Sequence, residues 1–332
     1  MTPTTPLLEI QDLHVGFKKR NHTIDIVNGI SLTLNKGEIL GVVGESGCGK
    51  SVTSLSVLRL LASNAVLRGT IRFDGIDLAK LSDKEMTKIR GNQLSMIFQE
   101  PMTSLNPLHS IGKQITEPLI RHGKMPKREL KAKAIELLTV VGISRPDEVY
   151  YAYPHELSGG MRQRVMIAIA MACTPKLIIA DEPTTALDVT IQAQIIDLMK
   201  SISSKYGTSF MLITHDLGVV AEICDRVIVM YAGEIVEETD VRTLFKNPQH
   251  PYTIGLMKSV PSASETKERL EPIPGSVPAA GEMPEGCRFA PRCRHASEKC
   301  SVKPPLIESA SKHRTRCWLF AEKEGQYERN FA

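Results

Sequence analysis

No apolar run in the 332-residue chain reaches the roughly 18 residues that a membrane-spanning helix needs. The first residues, Met1–Glu9, lack the charged and apolar regions of a secretory signal. Both absences lead to the expectation of a chain that stays in the cytosol, with any membrane role peripheral and exercised through partner subunits. Net charge is small as well: at +4 it is too mild to argue for nucleic acid, and no basic stripe interleaved with aromatics occurs. Lys18-Lys19-Arg20 therefore reads as a solvated turn. The cysteines show neither the C-x2-C pairs of common zinc fingers nor a ferredoxin-type run. What is present suits a globular protein. A 42% hydrophobic content supplies a core, 23% charged residues supply a soluble surface, and the length allows one large α/β domain with an appendage.

The segment Gly44-Glu45-Ser46-Gly47-Cys48-Gly49-Lys50-Ser51, with Val52 behind it, follows the apolar run Ile39-Leu40-Gly41-Val42-Val43 and precedes the helix-like Ser51–Leu61. Strand, loop and helix in that order are the context a phosphate-binding loop needs. Glycine lets the loop fold its N–H groups inward around α- and β-phosphates, Lys50 can reach the β/γ oxygens, and Ser51 can coordinate Mg²⁺. Further on, Leu177-Ile178-Ile179-Ala180-Asp181-Glu182 is a short apolar run ending in two carboxylates, the pattern of a buried parallel strand delivering acids at its C-terminal edge. Asp181 would hold Mg²⁺, directly or through water, and Glu182 would polarise the attacking water. Gln99 ends the strand-like run Leu94–Phe98 and His215 ends Phe210–Thr214, which would carry both to the same edge. Taken singly, the acid pair reads as a solvated strand end, and Gln99 or His215 as an ordinary polar cap.

A third segment, Leu157-Ser158-Gly159-Gly160-Met161-Arg162-Gln163, offers two glycines whose N–H groups can approach a phosphate, a hydroxyl donor, and a following helix whose N-terminus favours negative charge. Alone it is a plain loop. Residues 7 to about 95 alternate apolar and polar positions with turn signals at Asn35-Lys36-Gly37 and Phe73-Asp74-Gly75, which predicts a strand-rich region. From about 110 to 170 the pattern turns helical, with Lys131–Val141 placing apolar residues at 134, 135, 137, 138 and 141. Residues 172–235 return to alternating strand and helix, as in a mainly parallel sheet. After about 260, Pro261, Pro272, Pro274, Pro278 and Pro284 predict an extended linker outside the core.

Four of the seven cysteines lie beyond it: Cys287, Cys293, Cys300 and Cys317, separated by five, six and sixteen residues. Structural disulfides are disfavoured in a cytosolic chain, so four thiolates in a poorly apolar tail suggest a metal site that compensates for a missing core. Four unrelated cysteines are the alternative. His295 and His313 could substitute as ligands but read more simply as surface histidines, as do His14 and His22. Cys48 lies in the phosphate loop, where its thiol would make nucleotide binding sensitive to alkylation or oxidation. Cys173 and Cys224 read as buried small hydrophobes.

The order Lys50, Gln99, Ser158, Glu182, Asp188, His215, with Pro183-Thr184-Thr185-Ala186-Leu187-Asp188 after the acid pair, resembles the ATP-binding cassette superfamily. Five further segments resemble the ATP-binding subunits of bacterial dipeptide and oligopeptide importers. They are Phe98–Pro107, Tyr153-Pro154-His155-Glu156-Leu157, Ala180–Gln194, Met230-Tyr231-Ala232-Gly233 and His250-Pro251-Tyr252-Thr253; Gly286-Cys287-Arg288-Phe289-Ala290-Pro291-Arg292-Cys293 adds a sixth. The resemblance implies an α/β P-loop NTPase fold with a RecA-like core, an antiparallel β subdomain and a helical subdomain at about 100–165. That cassette would occupy 1–260, and a small Cys-rich extension 261–332.

The same resemblance implies a set of roles. Gln99 contacts the Mg²⁺ and attacking-water region, and His215 contacts the γ-phosphate. Ser158, Gly159, Gly160, Gln163 and Asp188 act at the ATP shared between subunits, and Phe17 of Leu13-His14-Val15-Gly16-Phe17 stacks on adenine unless it is a core aromatic. The four tail cysteines hold a [4Fe–4S] cluster, with zinc as the alternative. Partners would be a second cassette subunit, more often related than identical, two membrane-spanning permease subunits and an extracytoplasmic peptide-binding protein, with this chain peripheral on the cytoplasmic face of the inner membrane. Nickel, metal-chelate or opine cargo is one alternative; a soluble cassette ATPase acting on ribosomes or DNA is another.

Overall fold

A computed structural model describes residues 5–19, 22–185, 187–259, 272–309 and 312–321. Arg20 of the basic turn, Ala186, Pro261 of the proline-rich stretch and Met1–Thr4 lie outside the described residues. The described residues divide into two compact units, one lying within 1–8, 34–39 and 73–213, the other within 9–33, 40–72 and 214–332.

In the first unit the strands Leu94–Ile97, Leu177–Asp181 and Ser209–Thr214 lie parallel, with Leu94 beside Leu177 and Asp181 beside Ile213. Every residue of the latter two strands is buried, as expected where a parallel sheet is covered on both faces. Both sequences are mostly apolar through their middle rather than alternating for that reason. The helix Gly159–Met171 packs against Leu94–Ile97 and against the helices Ile111–Arg121 and Leu130–Val140. Leu130, Ala134, Leu137 and Leu138 form the buried stripe of the last of these. Gly112 is required where the first meets the ring of Tyr150, because a Cβ there would lie 2.3 Å from Cε2. The short helix Asp83–Ile89 starts on a capping box, Glu85 N–H donating to Ser82 Oγ at 3.3 Å and Ser82 N–H to Glu85 Oε2 at 2.8 Å.

In the second unit the strands His22–Leu34, Leu8–Lys19 and Ala65–Phe73 are hydrogen-bonded in that order. Ile39–Val43 runs parallel to Arg226–Tyr231, with Leu40 beside Arg226 and Val43 beside Val229. Arg226–Tyr231 pairs antiparallel with Glu234–Asp240, which is bulged between Ile235 and Glu237. The sheet continues into the tail: Glu237 and Glu238 pair with Thr315 and Arg314, which in turn pair with Ile307 and Glu308.

The C-terminal region therefore shares the core of this unit. Tyr231, Tyr252 and Phe289 form a buried aromatic cluster, with Phe289 edge-on to Tyr231 at 5.2 Å between ring centres. Ile273, Val277 and Met283 pack against it. The expected linker is thus corrected for its described part: 272–284 is extended, yet it closes over the core. The helix after the phosphate loop is also shorter than expected, ending at Val57 because Arg59 takes a left-handed conformation, φ 52°. Among the described residues no helix is long and apolar enough to cross a membrane.

Candidate functional site

The phosphate loop leaves the buried strand Ile39–Val43 at Gly44, whose φ of 154° and distance of 2.2 Å from a would-be Cβ to the Met230 carbonyl oxygen leave no room for a side chain. Gly47 and Gly49 have φ of 79° and 98°, the left-handed region that turns successive N–H groups to one side. Gly49 then caps the helix Lys50–Val57 without a side-chain bond, so the N-terminal amides of that helix keep their capacity for an anion. Lys50 Nζ folds back on the loop, donating to the carbonyls of Gly44 at 2.7 Å and Glu45 at 3.0 Å. Ser46 and Gly47 are exposed, and Glu45, Ser51 and Val52 half-buried. Cys48 is fully buried, and burial pushes its thiol up despite the neighbouring Lys50 ammonium, which works against the expected sensitivity to alkylation or oxidation.

In the first unit Asp181 closes its strand at 5% exposure, and Glu182 follows in a left-handed conformation, φ 47°. That strain turns the side chain off the strand end while the Glu182 N–H donates to the Ile213 carbonyl at 2.8 Å. Glu182 Oε2 accepts from Gln99 Nε2 at 3.1 Å and from Thr185 Oγ1 at 2.9 Å. The structure thus brings Gln99 and Glu182 together from strands adjacent in the sheet. Thr185, which sequence reasoning passed over, holds the same carboxylate. Its signal was its place three residues after the acid, where a turn returns the chain. Asp188 is exposed and caps the helix Val189–Tyr206, accepting from Ile191 N–H at 2.9 Å. In the other unit, His215 is exposed at the end of its strand and Phe17 is half-buried in Leu8–Lys19.

Ser158 caps the helix Gly159–Met171, its hydroxyl accepting from Met161 N–H at 3.3 Å. A Cβ on Gly159 would meet nothing within 4 Å, whereas one on Gly160 would come within 3.0 Å of Ile191. Packing explains the second glycine, whereas the first faces open space. Gln163 lies on the inner side of this helix, 2% exposed, with Nε2 lacking a hydrogen-bond partner among the described residues. It is separated in exposure from Ser158 and Gly159.

Cys287, Cys293, Cys300 and Cys317 all line one cavity, together with Trp318 and His295. Burial, reinforced by the other three cysteines, pushes the Cys317 thiol up to about 11. Among the described residues no group of three or more His, Cys, Asp or Glu is placed to hold a metal ion, so neither the iron–sulfur expectation nor the zinc alternative has geometric support. His313 corrects another expectation: it is 1% exposed, its Nε2 lying 2.7 Å from Glu237 Oε1, and it pins the tail instead of facing solvent. Glu237 also accepts from the N–H groups of Gln249 and His250 at 2.7 and 2.9 Å. Burial opposes its ionisation, but these bonds hold the carboxyl below the usual range.

Comparison with known proteins adds two family matches, "ABC transporter" over residues 27–185 and "Oligopeptide/dipeptide transporter, C-terminal region" over 236–300. The oligopeptide transport ATP-binding protein AppD of Bacillus subtilis is 52% identical, over 96% of this chain and 98% of its own length. The oligopeptide transport ATP-binding protein OppD of Haemophilus influenzae is 48% identical over the same shares. Among solved structures, the ATP-binding cassette MJ0796, in a dimeric post-hydrolysis state bound to ADP and Pi, superimposes with a TM-score of 0.63 at 29% identity, covering 71% of this chain and 99% of that one.

Proposed function

Because this chain belongs to the ATP-binding subunits of oligopeptide and dipeptide ABC transporters, we propose that it binds and hydrolyses ATP to power import of peptides across the bacterial cytoplasmic membrane. The observation that carries the catalytic half of this reading is the Gln99–Glu182–Thr185 arrangement. Two donors, Gln99 Nε2 and Thr185 Oγ1, hold the Glu182 carboxylate at the strand end, where a carboxylate can orient an attacking water. Glu182 is the base; Gln99 and Thr185 fix its rotamer. Lys50 exchanges the Gly44 and Glu45 carbonyls for the β- and γ-phosphates when nucleotide enters. The loop amides and the helix N-terminus take the rest of the charge. Ser51, Asp181 and Gln99 would hold Mg²⁺, which supplies charge neutralisation at the β- and γ-oxygens. His215 meets the γ-phosphate and Phe17 the adenine.

Gly159 supports a shared site. With no neighbour inside the subunit, it and Ser158 are suited to cap the γ-phosphate of ATP held by a second cassette subunit. Asp188, exposed at the neighbouring helix start, shapes that surface, with Gln163 buried behind the capping turn. Nucleotide then favours the closed pair because it binds both surfaces only in that state, a population shift driven by differential affinity. The second subunit is another cassette, and the family resemblance favours a related chain over a second copy of this one. Two permease subunits and an extracytoplasmic peptide-binding protein complete the complex, and this chain sits on its cytoplasmic face. Cys287, Cys293, Cys300 and Cys317, which line one cavity, are the residues that would hold a [4Fe–4S] cluster, as the resemblance implies, and the cluster would add a tie to a tail already packed on the core.

ATP-dependent uptake of a labelled oligopeptide into cells lacking the chain tests the proposal. Wild type restores uptake, and Glu182→Gln binds ATP but supports neither turnover nor uptake. Unchanged turnover in Glu182→Gln would remove Glu182 as the base. Restored ATPase with no peptide uptake, but with nickel uptake, would move the cargo.

A further inference from the structure

Glu45 is the one acidic residue of the phosphate loop, and a carboxylate beside the seat of a polyphosphate works against binding. In this chain it does not stand alone. Arg292 Nη1 and Nη2 donate to its two oxygens at 2.6 and 3.0 Å, a bidentate pair, and Tyr252 Oη accepts from the Glu45 N–H at 2.8 Å. Both partners are fixed from behind. The Arg292 side chain is 4% exposed, lies 5.7 Å over the Tyr231 ring, and donates through Nε to the Pro274 carbonyl at 2.9 Å. Tyr252 is buried against Tyr231 and Phe289. Arg292 sits in the short turn between Cys287 and Cys293, where Cys293 N–H donates to the Ala290 carbonyl at 3.1 Å. The loop's only acid is therefore neutralised, and its first amide oriented, by side chains 247 and 207 residues away.

We propose that Arg292, seconded by Tyr252, is a positioning residue for nucleotide binding: it cancels the Glu45 charge and holds the phosphate loop in its receptive shape, so that the C-terminal tail sets the affinity for ATP. The inference rests on reading residues 44–51 as the seat of the ATP phosphates. It gives the tail a function in the nucleotide site that is distinct from holding a metal group.

The test is MgATP affinity of the purified full chain by titration calorimetry on a Glu182→Gln background, with circular dichroism as the check on folding. Arg292→Met leaves a bare carboxylate in the loop and weakens binding by on the order of 10-fold, about 1.4 kcal/mol. Arg292→Lys keeps the charge and loses the fork, and falls between. Adding Glu45→Gln to Arg292→Met removes the repulsive charge and returns affinity to within about threefold of the parent, an outcome that lost packing alone would not give. A double variant no tighter than Arg292→Met overturns the proposal, as does an Arg292→Met that binds like the parent. Should Arg292→Met fail to fold, Arg292→Lys against Glu45→Gln/Arg292→Lys carries the same comparison. Lys50→Ala separates the two readings. If it binds MgATP like the parent, the phosphate-loop assignment itself fails; if it is weak while Arg292→Met is unaffected, only the role of Arg292 fails.

Discussion

Acidification should open the helix Pro251–Lys258 before anything else in its surroundings, and His250 is the reason. The imidazole is 2% exposed, and its Nδ1 accepts the Tyr252 N–H at 3.0 Å as the helix cap. Burial, opposed only in part by the Glu237 carboxylate, lowers its pKa from 6.5 to about 4. An unfolded imidazole takes up its proton below 6.5, whereas the folded one stays neutral until about 4, so the opened state binds the extra proton in between. Stability is therefore present above that window and lost as pH falls through it. Between about pH 7 and about pH 5 the loss comes to roughly 2 kcal/mol, at 1.36 kcal/mol per pH unit of differential protonation. Glu237, held below the carboxylate range, contributes with the same sign but at lower pH, which leaves about pH 5 as the condition that isolates His250. Hydrogen exchange of amides 252–258, expressed as opening free energy at the two pH values, reads the effect. His250→Asn keeps a side-chain cap for the Tyr252 N–H without a titrating group, and its opening free energy should be nearly flat. A variant with the wild-type pH slope would refute the assignment.

Two further outcomes are expected. Gly159→Asp should leave folding intact, because the site is open and an acid in the first turn suits the helix dipole, yet reduce ATP turnover of the assembled transporter by more than about 10-fold by opposing the phosphate it should cap; unchanged turnover would exclude the shared site. Phe289→Ala should cost about 3 kcal/mol, since it empties the edge-on place against Tyr231, and be seen as faster protease cleavage of the tail while the helical unit 73–213 keeps its resistance.

Short-range chemistry was the legible part of this sequence. Phosphate binding at Gly44–Ser51 is done by backbone amides and one lysine, and the glycines that free those amides have to be neighbours, so spacing alone announces the loop. The same holds for the buried strand ending at Asp181, where five apolar or acid residues in a row already state that both faces are covered. Ends of elements were less legible. The helix after the loop stops at Val57, since the left-handed turn at Arg59 carries no glycine or proline to mark it.

The tail was misjudged for a reason that applies beyond it. Proline-rich, charged and only thinly apolar, 272–315 carries too little hydrophobic surface to make a core of its own, and read by composition it looks like a linker with a metal knot. It needs no separate core, because it completes one: Phe289 enters an aromatic cluster prepared by Tyr231 and Tyr252, and Arg314-Thr315 adds a strand to Glu234–Asp240. Its polar residues find partners in the same way. His313 looked like a surface histidine because nothing near it in sequence could satisfy it; the partner, Glu237, lies 76 residues earlier and is itself buried by a bulged strand. A buried carboxylate of this kind requires a cation or several N–H donors, so Glu237 was the residue that could have announced the contact. Such a requirement is visible only once burial is known, which is why local motifs identified the ATP chemistry, while the contacts between tail and phosphate loop had to come from the fold.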